Sequence, residues 1–264
     1  MADARAYWGF ARARLADLLA NRARFLAGIA SYFIYVTVYA GIFRAIYAAG
    51  PAEVGGLGLQ EALTYVAVAW VLRSMYTNGI DREITQDVRR GDIALALLRP
   101  VDYPASKLAG AAGEALTRAL IFTLPAALPI ALVYPIQPPA SLASALGFLL
   151  GAVLAFAIYS LINLLVGISA VFTEHTVGIQ RAKNAMLDLL GGVLLPLSFF
   201  PGWAQDALWL LPFQAVTYTP VSIYLGTLPA PLGLGVQALW VVILALAARL
   251  LWRRAVDHLT IQGG

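Results

Sequence analysis

The chain has no cysteine, which excludes disulfides, iron–sulfur clusters and thiolate metal sites. Its two histidines, His175 and His258, lie far apart and form no ligand pair, so no metal centre is expected. Charge is also scarce. Asp, Glu, Lys and Arg make up 12% of 264 residues, about half the roughly 25% of a soluble domain. No polar stretch is long enough to enclose a core of its own, so no soluble domain is expected. There is no G-x-x-x-x-G-K-[ST] loop to cradle a nucleotide phosphate and no H-E-x-x-H to hold zinc. What remains is apolar: 61% of the residues are hydrophobic and fall in long runs. The net charge of +4 does not point to nucleic acid, because the basic residues sit at the ends of those runs, where insertion topology puts them.

Six runs approach the ~20 residues that cross ~30 Å of hydrocarbon: 25–47, 57–76, 108–134, 142–171, 184–200 and 232–252. The third and fourth are over-long and are expected to project or tilt. The first begins only after Arg5, Arg12, Arg14, Arg22 and Arg24 and is too long for a signal-peptide core, so no cleavable leader is expected. Those arginines, the Arg82–Lys107 set, Arg181 with Lys183, and Arg249 with Arg253 and Arg254 share one side if the spans alternate. The opposite loops hold neither Lys nor Arg. The positive-inside rule then makes both termini cytoplasmic and the protein a multi-pass component of the plasma (inner) membrane. Residues 1–24 read as a surface helix in the inner headgroup layer, with Trp8, Ala11, Leu15, Leu18 and Leu19 on one face and Arg5, Arg12 and Asp17 off it. The alternative is a cytoplasmic extension of the first span.

Two stretches break the pattern. Residues 191–226 are almost wholly apolar, carry one charge (Asp206), and are interrupted by Pro196, Pro201, Pro212 and Pro220. Each internal proline removes a donor and clashes with the turn before it. Broken backbone survives in a bilayer only where protein or a water-filled cavity satisfies it, so this segment reads as outer re-entrant or interfacial helices. The second stretch, 81–107, is polar, with five acids balanced by five bases. Ile84, Val88, Ile93 and Leu97 mark an apolar edge, Gly91 interrupts it and Pro100 ends it. It is either a short amphipathic helix that docks a soluble partner or an ordinary solvated loop with a fraying helix.

Charges inside apolar runs are costly. Glu114 precedes Arg118 by four residues, the favourable order for a helical ion pair; a structural pair and a substrate contact are both open. Asp188 is expected to pair with Lys183 or Arg118, Arg44 with Glu53 or Glu61, and Arg73 to snorkel to the inner interface. No proton relay lines one helix. Phe199, Phe200, Trp203, Trp209, Phe213, Tyr218 and Tyr224 form an interfacial belt or, in part, line an exit path. Gly147 and Gly151, extended by Ala155, allow a close helix contact, within the subunit or at a dimer seam.

Glu83, Gly91, the leucines 95, 97 and 98, and Arg99-Pro100-Val101-Asp102 together resemble the coupling loop of type-2 ABC-exporter permeases. The stretch from Pro196 to Trp203, Leu211 to Phe213, and the turn from Pro220 to Gly226 resemble the outer re-entrant region of the same family, and the closing Gly263-Gly264 its six-span branch. The resemblance implies an all-α integral membrane protein with six spans: a single permease domain over 1–264, with an interfacial helix at 1–24, a cytoplasmic coupling loop at 77–107 and an extracellular re-entrant region at 200–231. It implies a second permease chain, identical or different, and two cytoplasmic ATPase subunits that supply the ATP and Mg sites this chain lacks. Glu83, Val88, Arg90, Gly91, Asp92, Leu97, Arg99 and Pro100 would couple to those ATPases. Pro196, Phe199, Phe200, Pro201 and Trp203 would form an outer gate or line the substrate path, and Glu114, Arg118 and Asp188 would be intramembrane charge pairs. The function so implied is ATP-driven export of an amphiphilic drug, lipid or lipid-linked molecule. The alternative is an intramembrane enzyme of lipid metabolism drawing on Asp81, Glu83, Asp87 and Asp92; an ion-coupled carrier would need paired broken spans in both halves, and only the second half is broken.

Overall fold

The computed structural model describes residues 22–262 except 51, 99, 174 and 175. The surface helix read over 1–24, the coupling residue Arg99, His175 and Gly263-Gly264 therefore lie wholly or largely outside the described residues. Within them the protein is helical, apart from one two-residue hairpin.

Helix α1 (Arg22–Ala49) buries Val36, Ala40 and Phe43, at spacings of four and three, against α2 (Leu59–Tyr76). Ile34, Val38, Ile42 and Ile46, each four apart, stay exposed on its opposite face, as a lipid-facing stripe would. Between the two helices, β1 (Glu53–Val54) pairs antiparallel with β2 (Leu57–Gly58). The turn needs positive φ at both Gly55 (+59°) and Gly56 (+74°), the combination that two-residue hairpins favour. The Glu61 carboxylate accepts the Gly58 N–H at 2.9 Å and starts α2.

Every residue of α2 from 62 to 70 is buried, because the helix belongs to two cores at once. Val66, Trp70 and Ala62 meet α1 and Ile130, whereas Tyr65, Leu72 and Tyr76 meet Ile158, Leu164 and Val221. It is the central post of the bundle. After it come α3 (Ile80–Arg90) and α4 (Asp92–Leu97), separated by Gly91 at φ +75°, so the sequence's interruption is a left-handed residue between two short helices.

Helix α5 (Tyr103–Arg118) is capped by Asp102, whose carboxylate accepts the Ala105 N–H at 2.8 Å. It passes through a widened π turn (Ala119–Thr123) into α6 (Leu124–Val133). The turn lies immediately before Pro125, which cannot donate to the carbonyl four residues back. Helix α7 (Leu142–Ile168) starts at a Ser141 cap and is extended by a tight turn over Ser169–Val171. Then follow α8 (Thr176–Leu190), a tight turn at Leu197–Phe199, α9 (Gly202–Trp209), α10 (Tyr218–Leu225) and α11 (Ala230–Gln262).

Among the described residues four helices are long and apolar enough to cross a membrane: Ala30–Ala49, Tyr103–Val133, Leu142–Val171 and Ala230–Leu259. Helices α2 and α8 occupy the places of the second and fifth runs. The fifth run was read as 184–200, but its helix is Thr176–Leu190. The buried, paired Lys183 lies inside this helix rather than in a loop before it, and the helix stops just before Gly192, which turns to φ +87°.

The proline-broken stretch is enclosed by protein. Gln214, Ala215, Val216 and Thr217 are fully buried. The Gln237 amide donates to the carbonyls of Gly151 (2.9 Å) and Ala215 (2.8 Å), and the Tyr65 hydroxyl to that of Gly192 (2.7 Å). Thr217 meets the Tyr76 hydroxyl at 2.9 Å, so the chain dips to the last turn of α2. It returns through α10 to the hairpin end, where Ala140 donates to the Tyr224 carbonyl at 3.0 Å. These bonds replace those that the prolines and turns forfeit. The small residues of α7 serve this packing within the chain: Gly147 faces Ile223 and Ala230, and Gly151 faces Pro220 and Gln237.

Candidate functional site

Within the polar stretch 81–107, the helix α3 is locked into the bundle rather than solvated. Asp81, in the first turn of α3, is 2% exposed. Its carboxylate accepts the Lys183 ammonium of α8 at 2.7 Å and the Arg82 N–H at 2.9 Å. Lys183 donates also to the Asn163 side-chain oxygen of α7. The Asn163 amide donates to the Asn78 side-chain oxygen at 2.9 Å, and the Asn78 amide to Ser160 at 2.9 Å. Gln180 of α8 donates to the Asp81 carbonyl (3.3 Å) and to Thr85 (3.1 Å). A buried charge is tolerated when it is paired and its remaining lone pairs and protons are satisfied, and this network meets that condition.

On its other flank α3 is tied to α5. Asp87 accepts from Lys107 at 2.7 Å and from the Tyr103 hydroxyl at 2.6 Å, and Glu83 lies 3.6 Å from Lys107. The Tyr103 ring in turn stacks on Trp252 of α11, with centroids 5.2 Å apart. Beneath α3, Gly167 lets α7 come close. A Cβ there would sit 2.9 Å from the Ile84 Cβ and 3.2 Å from the Asp81 Cα. Gly167→Leu is therefore expected to cost about 1–3 kcal/mol by overpacking, read as a lower thermal midpoint of the detergent-solubilised protein. Adding Ile84→Ala should recover only part of the loss, because the Asp81 backbone still stands in the way.

The coupling residues named from the sequence divide by position. Glu83 and Val88 are half-buried and turned into the bundle; Arg90, Gly91, Asp92 and Pro100 are exposed. Leu97 is exposed beside Leu95 and Leu98, the last at 82%, so α3 and α4 end in an apolar tip next to the exposed Arg89 and Arg90.

At the hairpin end the five gate residues also separate. Pro196 is buried. Phe199 packs on Phe43 of α1, with ring centroids 5.6 Å apart, and Ser198 lies directly against Gly55 of the hairpin. Phe200 is half-buried, and its carbonyl accepts from Gln205 at 2.8 Å. Pro201 is exposed and Trp203 is 77% exposed, so these two face outward from the chain.

Of the charges expected to be intramembrane, Glu114 and Arg118 are in contact along α5. Asp188 does not meet Lys183 or Arg118. It holds Arg73 of α2 through both carboxylate oxygens, the second at 3.1 Å. Arg73 therefore does not snorkel: its guanidinium is paired and lies 5.7 Å from the centre of the Trp70 ring, against which Tyr35 stacks. Arg44 lies over the Tyr134 ring at 5.8 Å, while Glu61 serves the Gly58 cap.

Sequence reasoning named Asp81 only as a carboxylate of the enzyme alternative and Lys183 only as an inner-loop charge and a partner for Asp188, and it did not single out Asn78, Asn163 or Gln180. One signal was available: Asn163 is a lone amide within the apolar run of α7, and a polar group there must find a partner inside the bundle. Among the described residues no three His, Asp or Glu side chains come together as a metal site.

No curated protein matches the chain. Residues 26–263 match the family model described as ABC-2 family transporter protein, and the chain therefore belongs to that family, whose members are multi-pass membrane components of ABC transporters.

Proposed function

We propose that this chain is the permease subunit of an ATP-binding-cassette exporter that moves an amphiphilic drug, lipid or lipid-linked molecule outward. It crosses the plasma (inner) membrane six times, α2 and α8 being the second and fifth spans, with both termini cytoplasmic. Two separate ATPase subunits dock on α3 and α4, carry the ATP and Mg, and do the hydrolysis. The observation that carries this is the helix pair itself. Residues Leu95, Leu97 and Leu98 form an exposed apolar tip, while the helix behind them is bonded to α5 and α8 and packed closely on α7 at Gly167. Such an element receives force at one end and delivers it to several spans.

A second permease chain, a copy or a relative, is supported by α8. The helix exposes Arg181 and Asn184 along with most of its surface, and polar side chains on a spanning helix face protein or water rather than lipid. The re-entrant stretch, seated by Phe199 on α1 and by Ser198 under the hairpin, is the outer gate. Asp81 and Asp87 are already engaged by Lys183 and Lys107, which favours transport over an intramembrane carboxylate enzyme.

The test is purification of the tagged chain from its native membranes, where an ATPase is expected to co-purify. Replacing Leu95 and Leu98 by aspartate should weaken that association about 30-fold or more, the effect of losing a ~2 kcal/mol hot spot, without blocking insertion. Transport by the isolated chain, with no ATPase bound, would overturn the proposal.

A further inference from the structure

Helix α8 is held to its own chain in an unusual way. Only Thr176, Lys183 and Leu187 of its fifteen residues are buried, so apolar packing contributes little to seating it. Its seam runs through Thr176, Gln180, Lys183 and Leu187, at spacings of four, three and four, and the first three of these are polar. Each of the three addresses α3: Arg89 reaches Thr176 at 3.5 Å, Gln180 reaches Thr85 and the Asp81 carbonyl, and Lys183 reaches the Asp81 carboxylate. By contrast, the bonds of α3 to α5 run through ion pairs whose side chains are 19–32% exposed. Those of α3 to α8 centre on a pair exposed by only 6% and 3%.

We infer that α3 and α8 move as one body, with Asp81 and Lys183 as the positioning residues that carry α8 along when α3 is displaced. The inference rests on α3 being the element the ATPases drive. A hydrogen-bonded ion pair out of water has a sharp geometric optimum, and the alternative for either partner is an uncompensated buried charge. Displacing α3 while α8 stayed behind would require that state. Displacing the two together does not. An apolar pair of similar volume in the same place would keep the fold but has no such penalty for sliding, so stability and co-motion are separable properties of this joint.

The absence of cysteine allows two introduced thiols to be the only ones in the chain. Spin labels at exposed Gln86 on α3 and exposed Ala182 on α8 report their separation by electron–electron resonance. A second pair, at Gln86 and exposed Leu250 on α11, is the control. Labelled chains are diluted with unlabelled ones, so that distances within one chain dominate, and the ATPase-bound complex is compared without nucleotide and with ATP and vanadate. The expected result is a shift of the Gln86–Leu250 distance and an unshifted Gln86–Ala182 distance. In the Asp81→Leu/Lys183→Met complex the Gln86–Ala182 distance should shift as well, with the ATPase still bound. A nucleotide-dependent Gln86–Ala182 distance in the otherwise unmodified chain overturns the inference alone, as does an unshifted one in the double variant while the control moves. If neither distance responds in a complex that hydrolyses ATP, α3 is not the driven element, and the proposed coupling fails first.

Discussion

With Lys183 replaced by methionine and Asp81 left in place, the fold is expected to lose about 3–5 kcal/mol, the usual result of removing one partner from a buried ion pair. That is a large share of the ~5–15 kcal/mol that keeps most proteins folded. The Asp81 carboxylate would retain the Arg82 N–H but lose the Lys183 ammonium, and the Asn163 oxygen would lose a donor in the same substitution. Asp81→Leu alone should do comparable harm by stranding the ammonium. The double variant, Asp81→Leu with Lys183→Met, should recover most of the loss, because an apolar pair of similar volume pays no desolvation. Thermal midpoints of the four purified proteins measure this as a double-mutant cycle. Single variants as stable as the parent would show that water reaches the pair, contrary to its burial.

That pair also marks where sequence reading stopped. The apolar runs and their order were legible because lipid imposes a composition, so α1, α5 with α6, α7 and α11 are evident from hydropathy alone. The amphipathic edge at Ile84, Val88 and Ile93, and the break at Gly91, were legible because periodicity and glycine report local backbone. Lys183 was not. Placed in an inner loop as a partner for Asp188, it marked the inner end of a span, and the fifth helix was placed eight residues late as a consequence. Its partner lies 102 residues away, and no local pattern connects an aspartate in a polar loop with a lysine at a span end. The error at Arg73 has the same origin. Arg73 invites a membrane-interface explanation that needs no partner and Lys183 a pairing along its own helix, and in both cases a carboxylate on another element is the partner. The separation of Phe199 from Trp203 was equally hidden, since only the hairpin's position decides which aromatic ring is covered.

Asp188→Leu is expected to be the second severe substitution. It leaves the Arg73 guanidinium on the central post of the bundle without its two acceptor oxygens. On the proposed topology α2 is a span; an unpaired arginine costs about 2.5–3.5 kcal/mol at the centre of such a helix on insertion scales, and Arg73 sits in the last turn. The two side chains are 20% and 29% exposed, and Trp70 keeps its contact with the cation, so the lower part of that range applies. The exchanged pair, Arg73→Asp with Asp188→Arg, should restore much of the loss, because the two positions face each other directly and a guanidinium reaches from either helix. Yield of folded protein from membranes and its thermal midpoint are the measurements. Failure of the exchange, with both single variants damaged, would mean that the environment of Trp70 and Tyr35 requires the cation on α2 specifically. Helix α8 is thus fastened at two heights, to α3 through Lys183 and to α2 through Asp188. Asp188–Arg73 joins α8 to the central post shared by both cores, and Lys183–Asp81 joins it to α3, the element proposed to be driven. Loosening the first should therefore change the resting distance between α8 and α2 while leaving that between α8 and α3 intact, a contrast that spin-label distances on the two helix pairs will register directly.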